Sequence, residues 1–455
     1  MLTNDLLEKY SVSIPRYTSY PTVPEWTEEF TKEDFFSAND KANKNKSPIS
    51  LYFHLPFCES QCYFCACNIV ISKKRDIVNP YLLHIKKEIK NLSNFINKIR
   101  KVEQIHLGGG TPTYFNPDEL KDFFSTIREN YNISKNCEIG VEVDPRVTTL
   151  DHLKTLSDLG FNRLSMGVQD FDPNVQVSVN RIQPYEDTKN LFNHARELGF
   201  ESINVDLIYG LPYQTKESFS KTIDLVIKLN PDRIALFHYA HLPQLINHQA
   251  KHISSESLPS SDVKIKIFQH AVQSLTDNNY VFIGLDHFAK PDDELTQARK
   301  NKTLHRNFQG YTTKAQCDLY GFGITAISSI QNTFSQNLKK LNPYYDKIDL
   351  NELSIYRGFV LNKDDLLREE VIMKILCHGV IIKTEIEEKY NIDFGSYFSF
   401  ELDKLKEFER DGLVCLDNNI EVTDTGQFFL RNIAGIFDFY LQRKNGKQKI
   451  YSKSI

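Results

Sequence analysis

Residues 50–68 read SLYFHLPFCESQCYFCACN. The first six make a short apolar β-type run. It opens into a loop holding Cys58, Cys62, Cys65 and Cys67. The pattern of a strand feeding a chemistry-bearing loop recurs down the chain. Strand-like runs fall at 104–108 (QIHLG), 138–143 (EIGVEV), 163–168 (RLSMGV), 203–209 (INVDLIY) and 233–239 (RIALFHY). Amphipathic stretches at 80–99, 150–159, 185–198 and 216–229 separate them. Strands alternating with helices build a parallel sheet through right-handed crossovers. Six such units are too few for a closed eightfold barrel. An incomplete (β/α)6 barrel and an open doubly wound sheet both fit.

Polar and glycine-rich residues gather where these runs end. Gly108-Gly109-Gly110-Thr111-Pro112 follows the second, Glu142 and Asp144 close the third, Gln169 follows the fourth, and Asp206 with Gly210-Leu211-Pro212 lies on the fifth. Functional residues of parallel α/β folds collect at the carboxyl ends of the strands. One shared site is therefore expected there.

The cysteine spacing is C-x3-C-x2-C-x-C. Zinc sites usually pair two knuckles across a longer gap, and no second knuckle is present. Three thiolates from one short loop can hold three irons of a [4Fe–4S] cube and leave the fourth iron open to chelate a substrate's amino and carboxylate groups. S-adenosylmethionine is the ligand such a site takes. The glycine run one βα unit later lets backbone approach that ligand closely. Glu142 and Asp206 are candidates for its hydroxyls or amine, and Arg181 for a carboxylate. His106, His238, His241, His287 and His305 show no i, i+4 metal-binding pair among themselves. The other cysteines, Cys137, Cys317, Cys377 and Cys415, are scattered singly and read as small buried apolar residues.

Composition bounds the remainder. The chain has 455 residues, 40% hydrophobic and 25% charged, with 31 Phe and 22 Tyr. That is globular and rich enough in aromatics for a large core. A net charge of -4 disfavours a general nucleic-acid binder. No apolar run approaches a membrane span and no secretory signal opens the chain, so a cytoplasmic protein is expected. Residues 1–35 lack a clean period, and Pro15, Pro21 and Pro24 argue for an extended arm. Residues 36–355 would form the catalytic barrel, with an extra strand and turn near 310–330. Residues 356–455 read as two or three helices, a hairpin at 414–426 and a long final helix over 428–442, a small winged-helix-like domain.

The motifs PRYTSYPT, YFHLPFCESQCYFCACN, HLGGGTPTYF, EVDPR, RLSMGVQDF with VNR, NVDLIYGLP, YAHLP, FIGLDHFAKPDDEL, HRNFQGYTT and RNIAGIFDFYL occur in that order. Together they resemble the oxygen-independent coproporphyrinogen III oxidase (dehydrogenase) family of radical S-adenosylmethionine enzymes, over nearly the whole chain. The resemblance implies an α/β fold: an incomplete (β/α)6 TIM-like barrel with an N-terminal arm and a small helical C-terminal domain. It implies that Cys58, Cys62 and Cys65 ligate the cluster and that Cys67 does not. It implies two S-adenosylmethionine sites, one using Tyr52, Gly109, Glu142 and Ile327, the other Phe64, Gly110, Thr111, Gln169, Arg181, Asp206 and Ala240. The arm, with Arg16 and Tyr17, would lie over the active site, and Tyr52, Glu142, Arg16 and Tyr17 would serve the reaction. That reaction converts two propionates of coproporphyrinogen III to vinyls at low oxygen, in heme biosynthesis. Arg16, Arg181 and the basic groups near Lys290 are candidates for the substrate carboxylates. A low-potential donor such as flavodoxin or ferredoxin would feed the cluster of a monomeric enzyme. The chain departs from the family pattern at His238 (usually Asn), Ile14 (usually Gly) and Ala66 (usually Gly).

The alternative of the same superfamily is a heme chaperone. That branch typically lacks both the fourth cysteine and the PRYTSYPT arm, and both are present here. A radical methyltransferase acting on another tetrapyrrole would differ in its C-terminal region. A winged-helix regulator is disfavoured by the net acidity.

Overall fold

The computed structural model describes residues 3–443 and Tyr451. Twelve strands form its main sheet: β1 (Ile49–Leu55), β2 (Lys101–Gly109), β3 (Asn132–Val143), β4 (Arg163–Gln169), β5 (Ser202–Tyr209), β6 (Arg233–His238), β7 (Val281–Gly284), β8 (His287–Ala289), β9 (Asp318–Phe322), β10 (Ile327–Ile330), β11 (Thr333–Asn337) and β12 (Ile355–Val360). Their order is β12-β11-β10-β9-β1-β2-β3-β4-β5-β6-β8-β7. Strands β1 to β6 pair in parallel, each beside the next. This is the incomplete six-unit barrel that the family resemblance implies, one of the two arrangements that the alternation of strands and helices leaves open.

The segment around 310–330 holds more than one added strand. β9 pairs in parallel with β1, Leu51 opposite Tyr320, although some 260 residues separate them. From β9 the chain runs on through the antiparallel meander β10–β12. On the opposite edge, β8 pairs antiparallel with β6 and with β7.

Alternation along the strands makes the barrel hollow on one side and solid on the other. On β5, Ser202, Asn204 and Asp206 face the interior cavity. Ile203, Val205 and Leu207 are fully buried against the outer helices. Helices Val78–Ser93, Pro117–Asn130, Leu150–Asp158, Tyr185–Glu197 and Lys216–Leu229 cover that outer face. Local signals start several of them: Asn116 caps Pro117–Asn130, and Thr215 caps Lys216–Leu229, each in a capping box.

A second core belongs to the C-terminal domain and the arm together. It joins Leu7, Tyr10, Ile14, Tyr17 and Tyr20 to Leu367, Val371, Phe398, Phe429 and Phe437. The domain has helices Lys363–His378 and Ser399–Arg410, and its hairpin strand Ile420–Val422 pairs with both Val414–Cys415 and Val380–Ile381. Three sequence expectations change here. The first 35 residues include a helix, Asn4–Tyr10, held by Lys9 and Tyr10 bonding Asp411. The long final helix is broken into Leu430–Gly435 and Phe439–Gln442. Asp438 causes the break: its side chain caps the second helix at Leu441 and accepts the Tyr17 hydroxyl. Of the scattered cysteines, Cys137 and Cys377 are buried, but Cys317 is only partly buried and Cys415 is exposed on the hairpin.

Candidate active site

The cysteine loop leaves β1 at Pro56 and is closed at its neck by Phe57–Cys58 pairing with Val70–Ile71. It is pinned from several sides. Tyr63 N–H donates to Val179, Asn180 Nδ2 to the Gln61 carbonyl (2.8 Å), and Gln249 Nε2 to the Phe64 carbonyl (3.0 Å). His248 Nε2 meets the Cys65 carbonyl at 2.6 Å, and the Tyr63 ring stacks on His252.

Behind Cys62 stand two guanidinium groups. Arg146 Nη2 lies 3.4 Å and Arg181 Nη1 3.5 Å from its Sγ. Both also bond Asp144, at 2.6 and 3.0 Å. Burial alone would raise the Asp144 pKa, but Arg181 and Arg146 outweigh it and hold the carboxyl down to about 2. Thr111 Oγ1 is 3.4 Å from Cys58 Sγ. These cations and the hydroxyl suit negatively charged thiolates. Three or more thiols on one short loop, backed by two guanidinium groups and a hydroxyl, are a donor set that fits a [4Fe–4S] cluster.

The glycine run wraps the same neck. Gly110 N–H donates to the Leu55 carbonyl and Thr111 N–H to that of Phe57, both at 2.9 Å. What the run can offer a ligand ammonium is therefore carbonyl oxygen. A Cβ on Gly110 would stand 2.6 Å from the Pro56 backbone, so the crossing requires glycine. At Gly108 a Cβ would strike the Glu142 carboxylate at 2.8 Å.

Glu142 reaches into the cavity with one oxygen 3.3 Å from His106 Nε2 and the other accepting the Gly109 N–H at 3.3 Å. Burial pushes its pKa up, but His106 and that N–H prevail, and the carboxyl stays below its usual value. Asp206 behaves oppositely. Burial, with the Glu142 charge, raises its carboxyl to about 6, although Asn204 Nδ2 (2.7 Å) and Ser165 (3.2 Å) donate to it. Gln169 sits at a β-bulge with a φ of 69°. Its buried Oε1 has no hydrogen-bond partner among the described residues, so the bulge aims an unsatisfied acceptor at the cavity.

One cavity of about 440 Å³ gathers Cys58, Cys62, Phe64, Cys65, Gly109, Gly110, Thr111, Glu142, Gln169, Arg181 and Asp206. The other candidates lie elsewhere. Tyr52 is inside the barrel wall, its hydroxyl 3.1 Å from His54 Nδ1 and its ring stacked on His106. Its link to the cavity runs through His106 to Glu142. His54 Nε2 meets the Asn68 carbonyl at 2.9 Å, so Nε2 carries the proton and Nδ1 accepts from Tyr52. Ala240 gives its carbonyl to Gln249, which also holds the cysteine loop. Ile327 packs beside Trp26 and Phe334. Tyr17 is in the C-terminal core, and Arg16 reaches Asp286 (3.2 Å) and the His238 carbonyl. Lys290 lines a separate pocket beside Asp232.

Sequence reasoning missed the floor of the cavity. Arg163 bonds Glu138 at 2.9 Å and also pairs with Glu294, while Arg233 bonds Asp293 and Glu294 at 2.9 Å. Arg163 and Arg233 open their strands, opposite the end where chemistry was sought. Gln309, Tyr311 and His287 complete one wall. The period-2 run of Arg163, Ser165, Gly167 and Gln169 was the available signal.

This open barrel with a four-cysteine loop at its mouth defines a radical S-adenosylmethionine protein. The family model for the radical SAM superfamily matches residues 52–226, and that for the HemN C-terminal domain matches residues 361–429. Two curated relatives named oxygen-independent coproporphyrinogen III oxidase are close along their whole length. The one from Synechocystis sp. is 44% identical over 99% of this chain and 97% of its own. The one from Helicobacter pylori is 45% identical over 98% of each. A solved structure of coproporphyrinogen III oxidase (HemN) from Escherichia coli, a radical SAM enzyme, superimposes with a TM-score of 0.92 at 44% identity, covering 96% of this chain and 99% of that one. The chain belongs to the family of oxygen-independent coproporphyrinogen III oxidases.

Proposed function

We propose that the chain is an oxygen-independent coproporphyrinogen III dehydrogenase, converting two propionate side chains of coproporphyrinogen III to vinyls and yielding protoporphyrinogen IX. The observation that carries this reading is the cysteine loop at the mouth of a cavity already furnished with Glu142, Asp206, Gln169 and Arg181. With a [4Fe–4S] cluster and S-adenosylmethionine bound, the site supplies a 5′-deoxyadenosyl radical that takes a hydrogen atom from a propionate β-carbon, after which CO2 and one electron leave, the electron going to an acceptor.

The chain's own residues bind and orient. Cys58, Cys62 and Cys65 hold three irons, with Arg146 and Arg181 offsetting thiolate charge. Carbonyls of the glycine run and the Glu142 carboxylate take the ammonium of S-adenosylmethionine, and Asp206 and Gln169 take hydroxyl and amine donors. Tyr52 acts as a positioning residue through His106. By the resemblance Phe64, Gly110, Thr111, Arg181 and Ala240 serve a second S-adenosylmethionine and Gly109 with Ile327 the first; Ala240 and Ile327 stand outside the cavity that the others line. Arg16 faces the substrate carboxylates. The electron comes from a low-potential donor such as flavodoxin or ferredoxin, and the working form is a cytoplasmic monomer. Among the described residues no helix is long and apolar enough to cross a membrane.

The test is anaerobic incubation of the reconstituted chain with coproporphyrinogen III, S-adenosylmethionine and a reductant. Release of two CO2 per product, with the product mass of protoporphyrinogen IX, is expected. Stoichiometric heme retention without CO2 release would turn the assignment to a heme carrier.

A further inference from the structure

Beside the cavity wall, three guanidinium groups from three separate segments surround one carboxylate. Arg16 comes from the arm, Arg306 from the hairpin that pairs His305–Asn307 with Gly310–Thr312, and Arg431 from the C-terminal domain. Together with Asp286 and His238 they line a pocket of about 30 Å³. Arg16 Nη1 is 3.2 Å from Asp286 Oδ2. Asp286 is shared further, its Oδ1 lying 2.7 Å from His287 Nδ1. Arg431 donates to the backbone carbonyls of Ile14 and Pro15. Arg306 is only 5% exposed, yet its Nε and Nη1 have no hydrogen-bond partner among the described residues.

The imbalance centres on Arg306. A buried guanidinium without a hydrogen-bonded counter-charge is costly. Asp286 gives its Oδ2 to Arg16, and its Oδ1 has no hydrogen-bond partner among the described residues. An anion with two acceptor oxygens would supply what Arg306 lacks. A pocket this small admits a carboxylate head and excludes a ring. It lies next to the catalytic cavity, with two of its arginines packed on rings that line that cavity. Tyr311 lines that cavity, and the Arg306 guanidinium carbon is 5.0 Å from its ring centroid. Phe237 lines it as well, 5.4 Å from the Arg16 guanidinium carbon.

We propose that this pocket receives a propionate carboxylate of the tetrapyrrole, one other than the group undergoing decarboxylation, with Arg306 as its principal partner. This rests on the function proposed above. Arg306 presents a planar fork suited to a carboxylate. Because the arm and the C-terminal domain each add an arginine, seating of the arm and docking of the substrate are linked through one charge.

The test measures binding without turnover. The full-length, cluster-loaded chain is titrated with coproporphyrin III, the stable oxidised tetracarboxylate, and with its tetramethyl ester, following porphyrin fluorescence. Arg306→Met should weaken binding of the free acid roughly ten- to a hundredfold and leave the ester unchanged. Asp286→Asn removes the competing carboxylate and should tighten free-acid binding, so the proposal is still tested if Arg306→Met fails to fold. Free-acid affinity unchanged in Arg306→Met at wild-type iron content, or unchanged or weakened in Asp286→Asn, overturns it. A parallel titration with acetate separates the sources: Arg306-dependent acetate binding that leaves coproporphyrin III affinity untouched makes this a small-anion pocket and likewise overturns the proposal. Failure of the wild type to release CO2 sinks the dehydrogenase reading, whereas CO2 release without Arg306 dependence sinks only the pocket.

Discussion

Arg181 bonds Asp144 at 3.0 Å, and the same nitrogen stands 3.5 Å from Cys62 Sγ. One guanidinium therefore serves a buried carboxylate and a thiol of the cysteine loop together. Asp144→Ala leaves Arg181 and Arg146 without that carboxylate in a buried setting. The cluster-free chain should lose about 3–5 kcal/mol, the usual cost of breaking a buried pair. The loaded protein should lose less, because thiolate charge then faces both cations. Urea midpoints of the two forms measure the difference, and equal losses would remove the link between Arg181 and the thiolates.

Cluster loading separates the cysteines. Serine at 58, 62 or 65 should abolish iron loading and the visible thiolate-to-iron absorbance after anaerobic reconstitution. Cys67→Ser should keep both. Equal iron loss in Cys67→Ser and Cys65→Ser would show the ligand set to be wrong.

Glu142 and Gly108 should fail in the same way. Glu142→Ala should weaken S-adenosylmethionine binding about ten- to a hundredfold, the worth of one charged hydrogen bond, with iron content intact. Gly108→Ala places a methyl 2.8 Å from the carboxylate and must displace it. Direct binding measurements on both variants check this. Wild-type affinity in either would separate Glu142 from the cofactor.

Asp206 carries a pH signature. Its carboxyl is raised to about 6 by burial and by Glu142, with Arg181 opposing. The unfolded chain ionises near 4, so between pH 4 and 6 the folded state holds the extra proton. Its contribution to stability is therefore lost as pH rises through that window. Asp206→Asn should be more stable than wild type at pH 7 and less so in comparison at pH 4. As a ligand for cofactor hydroxyls it must be ionised, so wild-type cofactor affinity should fall below about pH 6 relative to Asp206→Asn. Parallel pH curves for the two proteins would rule this out.

The packing contacts of the arm and the role proposed for it fall on different residues. Leu7, Tyr10, Ile14, Tyr17 and Tyr20 are buried in the C-terminal core, so deleting residues 1–25 should destabilise that domain. Tyr17→Phe takes a hydroxyl donor from buried Asp438 and should cost about 1–3 kcal/mol in thermal unfolding. Arg16→Ala should keep fold, iron and S-adenosylmethionine binding but lose CO2 release. Full activity in Arg16→Ala would confine the arm to a structural role.

Local pattern alone determined a good deal. The six parallel strands were legible because period-2 alternation and glycine-rich turns are written within a few residues of each element. Cys58, Gly109–Thr111, Glu142, Gln169 and Asp206 were legible for the same reason: each sits at or near a strand's carboxyl end, and the barrel brings those ends together whatever lies between them. Tertiary structure decided what depends on contacts between distant segments. No local signal tells β9 to pair beside β1, places Arg163 and Arg233 on the cavity floor, or sends Tyr17 into the C-terminal core. Nor does any short stretch reveal that Arg16, Arg306 and Arg431 share a pocket. Those placements arise from how whole elements bury their apolar faces, and that packing sets charges from remote parts of the chain side by side.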